Sequence, residues 1–460
     1  MEYRIEKDPL GEVNVPSDAY WGAQTQRAVD NFPISGLLPH RKLIWATGVV
    51  KLAAAETNRD MGKLDPALAG FIVKAAHEVM RGDLDGQFVV DVYQAGAGTS
   101  HNMNTNEVIA NRALELMGKP RGYFSACSPN DHVNMSQSTN DVFPTAMRLA
   151  GISILKDLAE EVQLLASSFR KKASEFDGIL KSARTHLQDA VPIRLGQEFS
   201  GYTLAMEKGM AKLMAAMEEL GELGIGGTAA GTGINTGKGY VPGMINRIRE
   251  VSGFDVRSCP NLFYSMQSQG GVLLASGALK CLAVDLIRIA NDLRLLSSGP
   301  LTGLAEITLP AVQPGSSIMP GKVNPVMPEM LDMVCFQVVG NDTAVMMAAQ
   351  AGQLELNVMM PLMAHNLLSS AEILKNAARV FREKCVDGIT ANAARCMKYV
   401  ESSPAIATAL NPSIGYMKAA EIAKEAVRTG RPVKEIALEK GYMAADELDK
   451  ALDPMRLTEP

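Results

Sequence analysis

Four stretches of this chain put Ser, Thr, Asn, His and Lys where the helical spacing of apolar residues lapses. They are GAGTSHNMNTNE (Gly96 to Glu107), SPNDHVNMSQSTND (Ser128 to Asp141), ARTHLQDAVP (Ala183 to Pro192) and PGSSIMPGKVNP (Pro314 to Pro325). Carboxylates are few in them. Hydroxyls, side-chain amides and backbone N–H groups all donate to carboxylate oxygens, and His186 and Lys322 add two more donors. Such a lining suits a small anionic ligand.

Each residue also has a plainer reading. Ser, Thr and Asn ahead of a helix are usually caps, and STND before an apolar run reads that way when taken alone. A single histidine in RTHLQ is more often a structural hydrogen-bonder than a catalyst, and Lys322 alone suits a surface charge. The last stretch is different. Gly315, Pro320, Gly321 and Pro325 punctuate it, so its backbone cannot join a regular ladder. A long loop in a helical protein is uncommon unless it works. The adjacent Ser316 and Ser317 offer a nucleophile or base together with backbone N–H donors. Serine-hydrolase logic fails, because no Gly-x-Ser-x-Gly surrounds either serine. No HExxH metal pattern is present. The glycine-rich run from Gly224 to Tyr240 fails the phosphate-loop pattern twice: Thr232 stands where the first glycine belongs, and Gly239 follows Lys238. A helical run precedes it rather than a strand, so it reads as a tight turn at a site wall.

Long helices must hold these stretches. Apolar residues recur at Ile154, Leu155, Leu158, Val162, Leu165 and Phe169, the spacing of an amphipathic helix. Similar runs extend from Gly196 to Leu223, from Gly270 to Ser298, and from Pro328 to Cys385. All are far longer than the average of roughly 11–12 residues. Apolar residues on more than one face require several neighbours, which association between subunits would complete. The pattern predicts an all-α fold in three parts. They are a mixed N-terminal part over 1–137, a central long-helix bundle over 138–390 carrying the 314–325 loop, and a small helical C-terminal part over 391–460. In the last, one helix is expected to end at Gly430.

The bulk numbers agree. Of 460 residues 47% are hydrophobic, enough for a large core, and 26 Met against 2 Trp suits helix-packed interiors. The net charge of −5, with no basic block, argues against nucleic acid and against an acidic membrane surface. The six cysteines, Cys127, Cys259, Cys281, Cys335, Cys385 and Cys396, show no CxxC or metal-ligand spacing. They read as free thiols in a reducing compartment, with no metal site. The opening MEYRIEKDPLGEVNVP has no apolar signal core, and no run of about 18 apolar residues occurs. A cytoplasmic protein without a membrane span is expected.

GSSIMPGKVNP resembles the signature of the fumarase/aspartase superfamily. The likeness covers essentially the whole chain through NMNTNEV, QSTND, RTHLQDAVP, GTAAGTG and GNDTAV. It implies an all-α homotetramer whose active sites are each shared by three subunits, acting on a small dicarboxylate. The implied reaction is anti elimination from a succinyl-type substrate to fumarate through an aci-carboxylate. No cofactor is implied, because the substrate's own carboxylate is the electron sink. By the same resemblance Ser316 is the base, and Glu329 pairs with His186. Lys322 and Asn324 bind a substrate carboxylate. Thr99, Ser100, Ser138, Thr139, Asn140, Thr185 and His186 line the rest of the pocket. A serine is a weak base at its ordinary pKa, so Lys322 and concentrated N–H dipoles are the expected help.

Two activities of that family fit. WGAQTQR, DVFPTAM and GIGGTA are similar to class II fumarases, which release water. Thr139 stands where fumarases usually have serine, and Ser128 where they usually have the histidine of a second carboxylate site. NDLRLLSSGP, GNDT and AGQLELN are similar to aspartate ammonia-lyases, which release ammonia, although Leu301 replaces their usual arginine. Residues near the reacting centre carry more weight, which favours ammonia. A third possibility, a non-catalytic structural relative, is disfavoured by the intact Ser316, Lys322 and Asn324.

Overall fold

The chain opens with a hairpin, β1 (Tyr3–Asp8) against β2 (Gly11–Pro16), with Asp8 opposite Gly11. Arg4 holds its exit by donating to the carbonyls of Pro16, Ala19 and Trp21. Four helices follow: α1 (Ala23–Asn31), α2 (Arg41–Asp60), α3 (Pro66–Arg81) and α4 (Thr99–Leu116). Their limits follow local chemistry. Asp65 accepts the Leu68 N–H ahead of Pro66, and Gly82 ends α3 in the left-handed region at φ 95°. The start of α1 has no cap of its own. Glu107, buried in α4, accepts the N–H groups of Gly22, Gln24 and Thr25, and Glu6 accepts that of Ala23. Two carboxylates thus meet the positive end of one helix. The structure, a computed structural model, describes residues 2–459.

Next comes α5 (Thr139–Glu175), 37 residues long. A hairpin of β3 (Leu180–Thr185) and β4 (Gln188–Arg194) leads to α6 (Leu195–Leu220), α7 (Tyr240–Ser252) and α8 (Leu262–Gln267). Then follow α9 (Gly270–Leu296), α10 (Val326–Gln350) and α11 (Met360–Lys384). The C-terminal part holds α12 (Ala393–Ser402), α13 (Asn411–Ile414), α14 (Tyr416–Thr429), α15 (Val433–Glu439) and α16 (Ala445–Ala451). The fold is all-α, with only two-stranded sheets among the described residues. Gly430 does end α14, with φ 67°.

Two elements differ from the sequence expectation or add to it. The single run from Pro328 to Cys385 is two helices. Asn357, fully buried, donates from Nδ2 to the carbonyls of Ala348 and Ala349 and so closes α10, while its Oδ1 accepts the Met359 N–H at the entry to α11. The ARTHLQDAVP stretch, for which the lapse of helical spacing names no element, is a hairpin. Its turn residues, His186 and Leu187, both have positive φ, 56° and 59°. This two-residue hairpin geometry normally selects Asn-Gly, so the sequence carried no turn signal.

Contacts divide the chain into two compact units, and each of the five longest helices contributes to both. One unit holds residues 1–159, 211–283 and 336–375; the other holds 160–210, 284–335 and 376–460. In the first, Leu52, Ile72, Val79, Phe88, Val108 and Leu114 belong to one buried cluster. In the second, α14, α15 and α16 close their own core around Leu410, Ile422, Ile436 and Leu448. Large apolar side chains stay exposed at helical spacing. Leu274, Val284 and Leu295 do so on α9, and Met333, Phe336 and Met347 on α10. All six cysteines are free thiols, and no described helix is long and apolar enough to cross a membrane.

Candidate functional site

In the first unit Ser138 opens α5. Its Oγ accepts the Asn140 N–H at 3.2 Å, and Asp141 Oδ1 accepts the Ser138 N–H at 3.0 Å. STND is therefore a cap. Asp141 does more. Its Oδ2 accepts the N–H groups of Gly226 and Thr228, each at 2.9 Å, and Asn140 Nδ2 donates to the Ala229 carbonyl at 2.8 Å. The glycine-rich run is thereby a turn docked on the start of α5. Thr228, Ala229, Ile234 and Asn235 from that turn line a cavity of about 590 Å³ with Ser136, Gln137 and Ser138. Burial pushes the Asp141 carboxyl up to about 6, against the pull of its N–H partners and of Lys51.

Thr99 and Ser100 begin α4, Thr99 exposed and Ser100 buried. The preceding Gly98 has φ 81°, and a Cβ on it would lie 2.1 Å from the Phe143 ring, so only glycine fits. The Ala97 N–H bonds the Val358 carbonyl at 2.7 Å, which ties this entry to the turn between α10 and α11. Gly98 has no side chain to cap the helix, and Gln94 Oε1 accepts the His101 N–H at 2.8 Å, which leaves the N–H groups of Thr99 and Ser100 at the helix start, the usual seat for an anion.

The second unit carries the other residues. Thr185 and His186 sit exposed at the tip of the β3–β4 hairpin. Below it Glu306, fully buried, pairs with Arg184 at 2.9 Å and Lys181 at 3.3 Å, and Arg184 stacks on Tyr399. In the 314–325 loop Ser316 is half-buried. Its Oγ accepts the N–H groups of Ile318 at 3.2 Å and Met319 at 2.8 Å. The loop closes on itself: Gly315 N–H donates to the Lys322 carbonyl at 2.8 Å, and Asn324 Nδ2 to the Gly315 carbonyl at 2.6 Å. A Cβ on Gly315 would lie 2.6 Å from backbone atoms of Lys322 and Asn324, so this position also requires glycine. Lys322 and Asn324 line a cavity of about 890 Å³ with Arg294, Ser298, Ala305 and Thr308. Glu329 lies in the first turn of α10. His186 and Glu329 form no ion pair within the chain among the described residues.

Strain follows the same map. Eight described residues other than glycine have positive φ. Ser136, Thr228 and Asn235 line the first cavity, Ala305 lines the second, Ala97 lies two residues before Thr99, His186 and Leu187 form the hairpin tip, and the eighth, Leu354, lies in the turn between α10 and α11. Such conformations cost roughly 1–3 kcal/mol each and persist where surroundings over-determine them. Sequence alone marks Ser138, Thr139 and Asn140 as site residues and does not single out Asp141, whose carboxylate orders both edges of the first cavity. The capping-box spacing from Ser138 to Asp141 was the available signal.

Comparison with known proteins gives the family. A family model described as "Lyase" matches residues 11–340, and one described as "Fumarase C C-terminus" matches 406–459. The chain belongs to the fumarase/aspartase superfamily of lyases.

The lyase is 49% identical over 459 residues to an aspartate ammonia-lyase of a Bacillus species, covering 100% of this chain and 98% of the relative. It is 51% identical over 458 residues to a class II fumarate hydratase of Halobacterium salinarum, covering 99% and 97%. A crystal structure of fumarate lyase:delta crystallin from Brucella melitensis, bound to cobalt, superposes with a TM-score of 0.97 at 48% identity, covering 100% of both chains.

Protonating Asp141 turns one acceptor oxygen into a donor and releases the turn it holds. The lyase's kcat/KM is therefore predicted to fall as pH drops through about 6. As pH falls, the unfolded chain takes up this proton only near 4, so the folded state binds it more tightly and gains relative stability from this group as pH drops from about 6 to about 4. The loss is expected to be reversible, with unchanged far-UV circular dichroism between about pH 5 and 7. Asp141→Asn is expected to lower kcat/KM about 10- to 100-fold, the worth of a charge-assisted bond. A variant with wild-type activity and an unchanged acid limb would contradict the role.

Proposed function

We propose that the chain is an aspartate ammonia-lyase, which eliminates ammonia from L-aspartate to give fumarate, reversibly and with anti geometry. The observation that carries the reading is Ser316, whose Oγ accepts two backbone N–H groups on the loop that bears Lys322 and Asn324. Donors aimed at an oxygen favour its anionic form. The Ser316 alkoxide takes a proton from the carbon next to a substrate carboxylate. The C–H electron pair moves into that carboxylate and forms the aci-carboxylate, whose extra charge Lys322 and nearby N–H groups offset. Collapse returns the pair to form the double bond. The C–N bond breaks with its electrons on nitrogen, so the substrate ammonium leaves as neutral ammonia. The proton on Ser316 passes to solvent.

Asn324 both braces the loop and presents its amide to a carboxylate. Thr99, Ser100, Ser138, Thr139, Asn140 and Thr185 bind the rest of the substrate. His186 and Glu329 pair across subunits of a homotetramer whose active sites each draw on three chains. Two observations support the tetramer: those two residues form no pair within one chain, and apolar side chains stay exposed along α9 and α10. The three-part division at 137 and 390, and a cytoplasmic location, belong to the same proposal.

Water as the leaving group is the second reading. It is supported by WGAQTQR, DVFPTAM and GIGGTA and by the Halobacterium salinarum relative, a class II fumarate hydratase. Thr139 and Ser128 weigh toward ammonia.

Fumarate absorbance, followed first with L-aspartate and then with L-malate, is predicted to rise with aspartate. Turnover of malate alone would overturn the choice. Ser316→Ala is expected to lower kcat about 1000-fold or more, with fold and substrate affinity kept. Near wild-type activity would remove Ser316 as the base. Sedimentation at working concentration is predicted to show four chains, and a monomeric mass would contradict the shared site.

A further inference from the structure

Lys51 lies in the middle of α2 with its side chain completely buried, and no carboxylate touches it. Its Nζ donates to Asn134 Oδ1 at 3.0 Å and to Gln137 Oε1 at 2.9 Å. A lysine facing two carbonyl oxygens donates to both, whether ammonium or amine, so the polarity of these bonds does not depend on its charge. Both amides are thereby oriented. Asn134 Nδ2 reaches the Gln137 carbonyl at 3.3 Å, and Gln137 Nε2 reaches those of Val133 and Met135, which hold the same orientation.

The polarity passes onward. Asn134 Oδ1 also receives Asn102 Nδ2 at 3.3 Å and Asn106 Nδ2 at 3.1 Å. Asn102 Nδ2 donates in turn to Thr139 Oγ1 at 3.0 Å. Since Thr139 Oγ1 receives a hydrogen from below, its own hydroxyl hydrogen is left to donate elsewhere. The arrangement has a visible cost. Asn102 Oδ1 and Asn106 Oδ1 are buried without a partner. Turning over, Asn102 would satisfy its oxygen with the Thr139 hydroxyl hydrogen. It would then also set an oxygen against Asn134 Oδ1, which Lys51 holds in place.

We propose that Lys51 is a positioning residue that acts through Asn134 and Asn102 to make the Thr139 hydroxyl a donor toward the substrate's carboxylate. The proposal rests on the reading that Thr139 contacts a dicarboxylate. The simpler role, a tether for the 134–137 segment, predicts a different result in the experiment below. A tether supports the whole segment and its loss is felt with or without the Thr139 hydroxyl. A polarity relay matters only while that hydroxyl is present.

The test is a double-mutant cycle in the full-length enzyme. Lys51→Met keeps the stem and removes the donor; Thr139→Val keeps the shape and removes the hydroxyl. Each single variant is expected to raise KM about tenfold, the scale of one hydrogen bond, with a smaller change in kcat. The double variant is expected to match Thr139→Val alone. Multiplied effects, or a wild-type KM in Lys51→Met, overturn the proposal. Should Lys51→Met not fold, Asn102→Leu cuts the relay one bond later and gives the same two outcomes against Thr139→Val. The cycle is run with whichever of L-aspartate and L-malate the enzyme turns over, so a wrong leaving group leaves it intact. With turnover of neither, the proposed function fails and succinate affinity, measured by calorimetry, gives the same readout. Absence of succinate binding in the wild type then overturns the inference as well.

Discussion

The Asp141 carboxylate is buried, and three backbone N–H groups rather than a cation lie within hydrogen-bond reach of it. Much of the candidate site in the first unit depends on that one constraint. A carboxylate taken out of water must have its lone pairs filled, and no side chain does it here. The N–H groups come from Ser138 and from the glycine-rich turn, so filling the carboxylate brings those two segments together. Glu107 repeats the device, holding the WGAQT turn onto α4 through Gly22, Gln24 and Thr25. In both cases a charge with few alternatives fixes backbone that has no regular ladder to hold it.

The second unit solves the same problem with ion pairs. Glu306 collects Lys181 and Arg184 from one strand of the hairpin, directly below Thr185 and His186. A buried group of this kind adds little net stability, because desolvation offsets the attraction, but it tolerates few alternative geometries. Rigid surroundings allow left-handed backbone at His186, Leu187, Ser136, Thr228 and Asn235 to persist. The 314–325 loop stands apart. It is exposed, braced by two hydrogen bonds across its neck and by the pair that meets Ser316 Oγ. A base on such a loop can be ordered by the ligand it acts on, a role that loops carry more readily than helices.

Much of this was legible in the amino-acid order. The 3.6-residue spacing marked α5, α6 and α9, and its loss marked the polar segments, although Thr99–Glu107 is helical all the same, as the largely buried polar start of α4. What was not legible has physical reasons. The break between α10 and α11 depends on one asparagine, Asn357, whose carbonyl partners are eight and nine residues away. The β3–β4 hairpin turns on His-Leu, a pair with no turn preference, held by Glu306 more than 100 residues further along the chain. Lys51 looked like any helix lysine. Its neighbours in GVVKLAAA are apolar on both sides, and that was the only sign that it would be buried. Asp141 looked like the end of a cap because it is one, and its second oxygen answers to a turn 85 residues later. The choice between ammonia and water belongs to this class as well. It depends on the direction of a few hydroxyl and amide bonds, which residue identities do not specify.

If Ser316 is the base, its loop works on an aci-carboxylate. A succinate analogue with one carboxylate replaced by a nitronate has the same planar shape and a formal negative charge on each of two oxygens, with one negative charge fewer overall because its nitrogen is formally positive. Its inhibition constant, measured against that of succinate in the same buffer, tests the claim most directly. Binding tighter by about 100-fold or more is expected, the lower bound for an analogue of a reactive intermediate. Equal binding of the two would contradict it, because the site would then be built for the dicarboxylate alone.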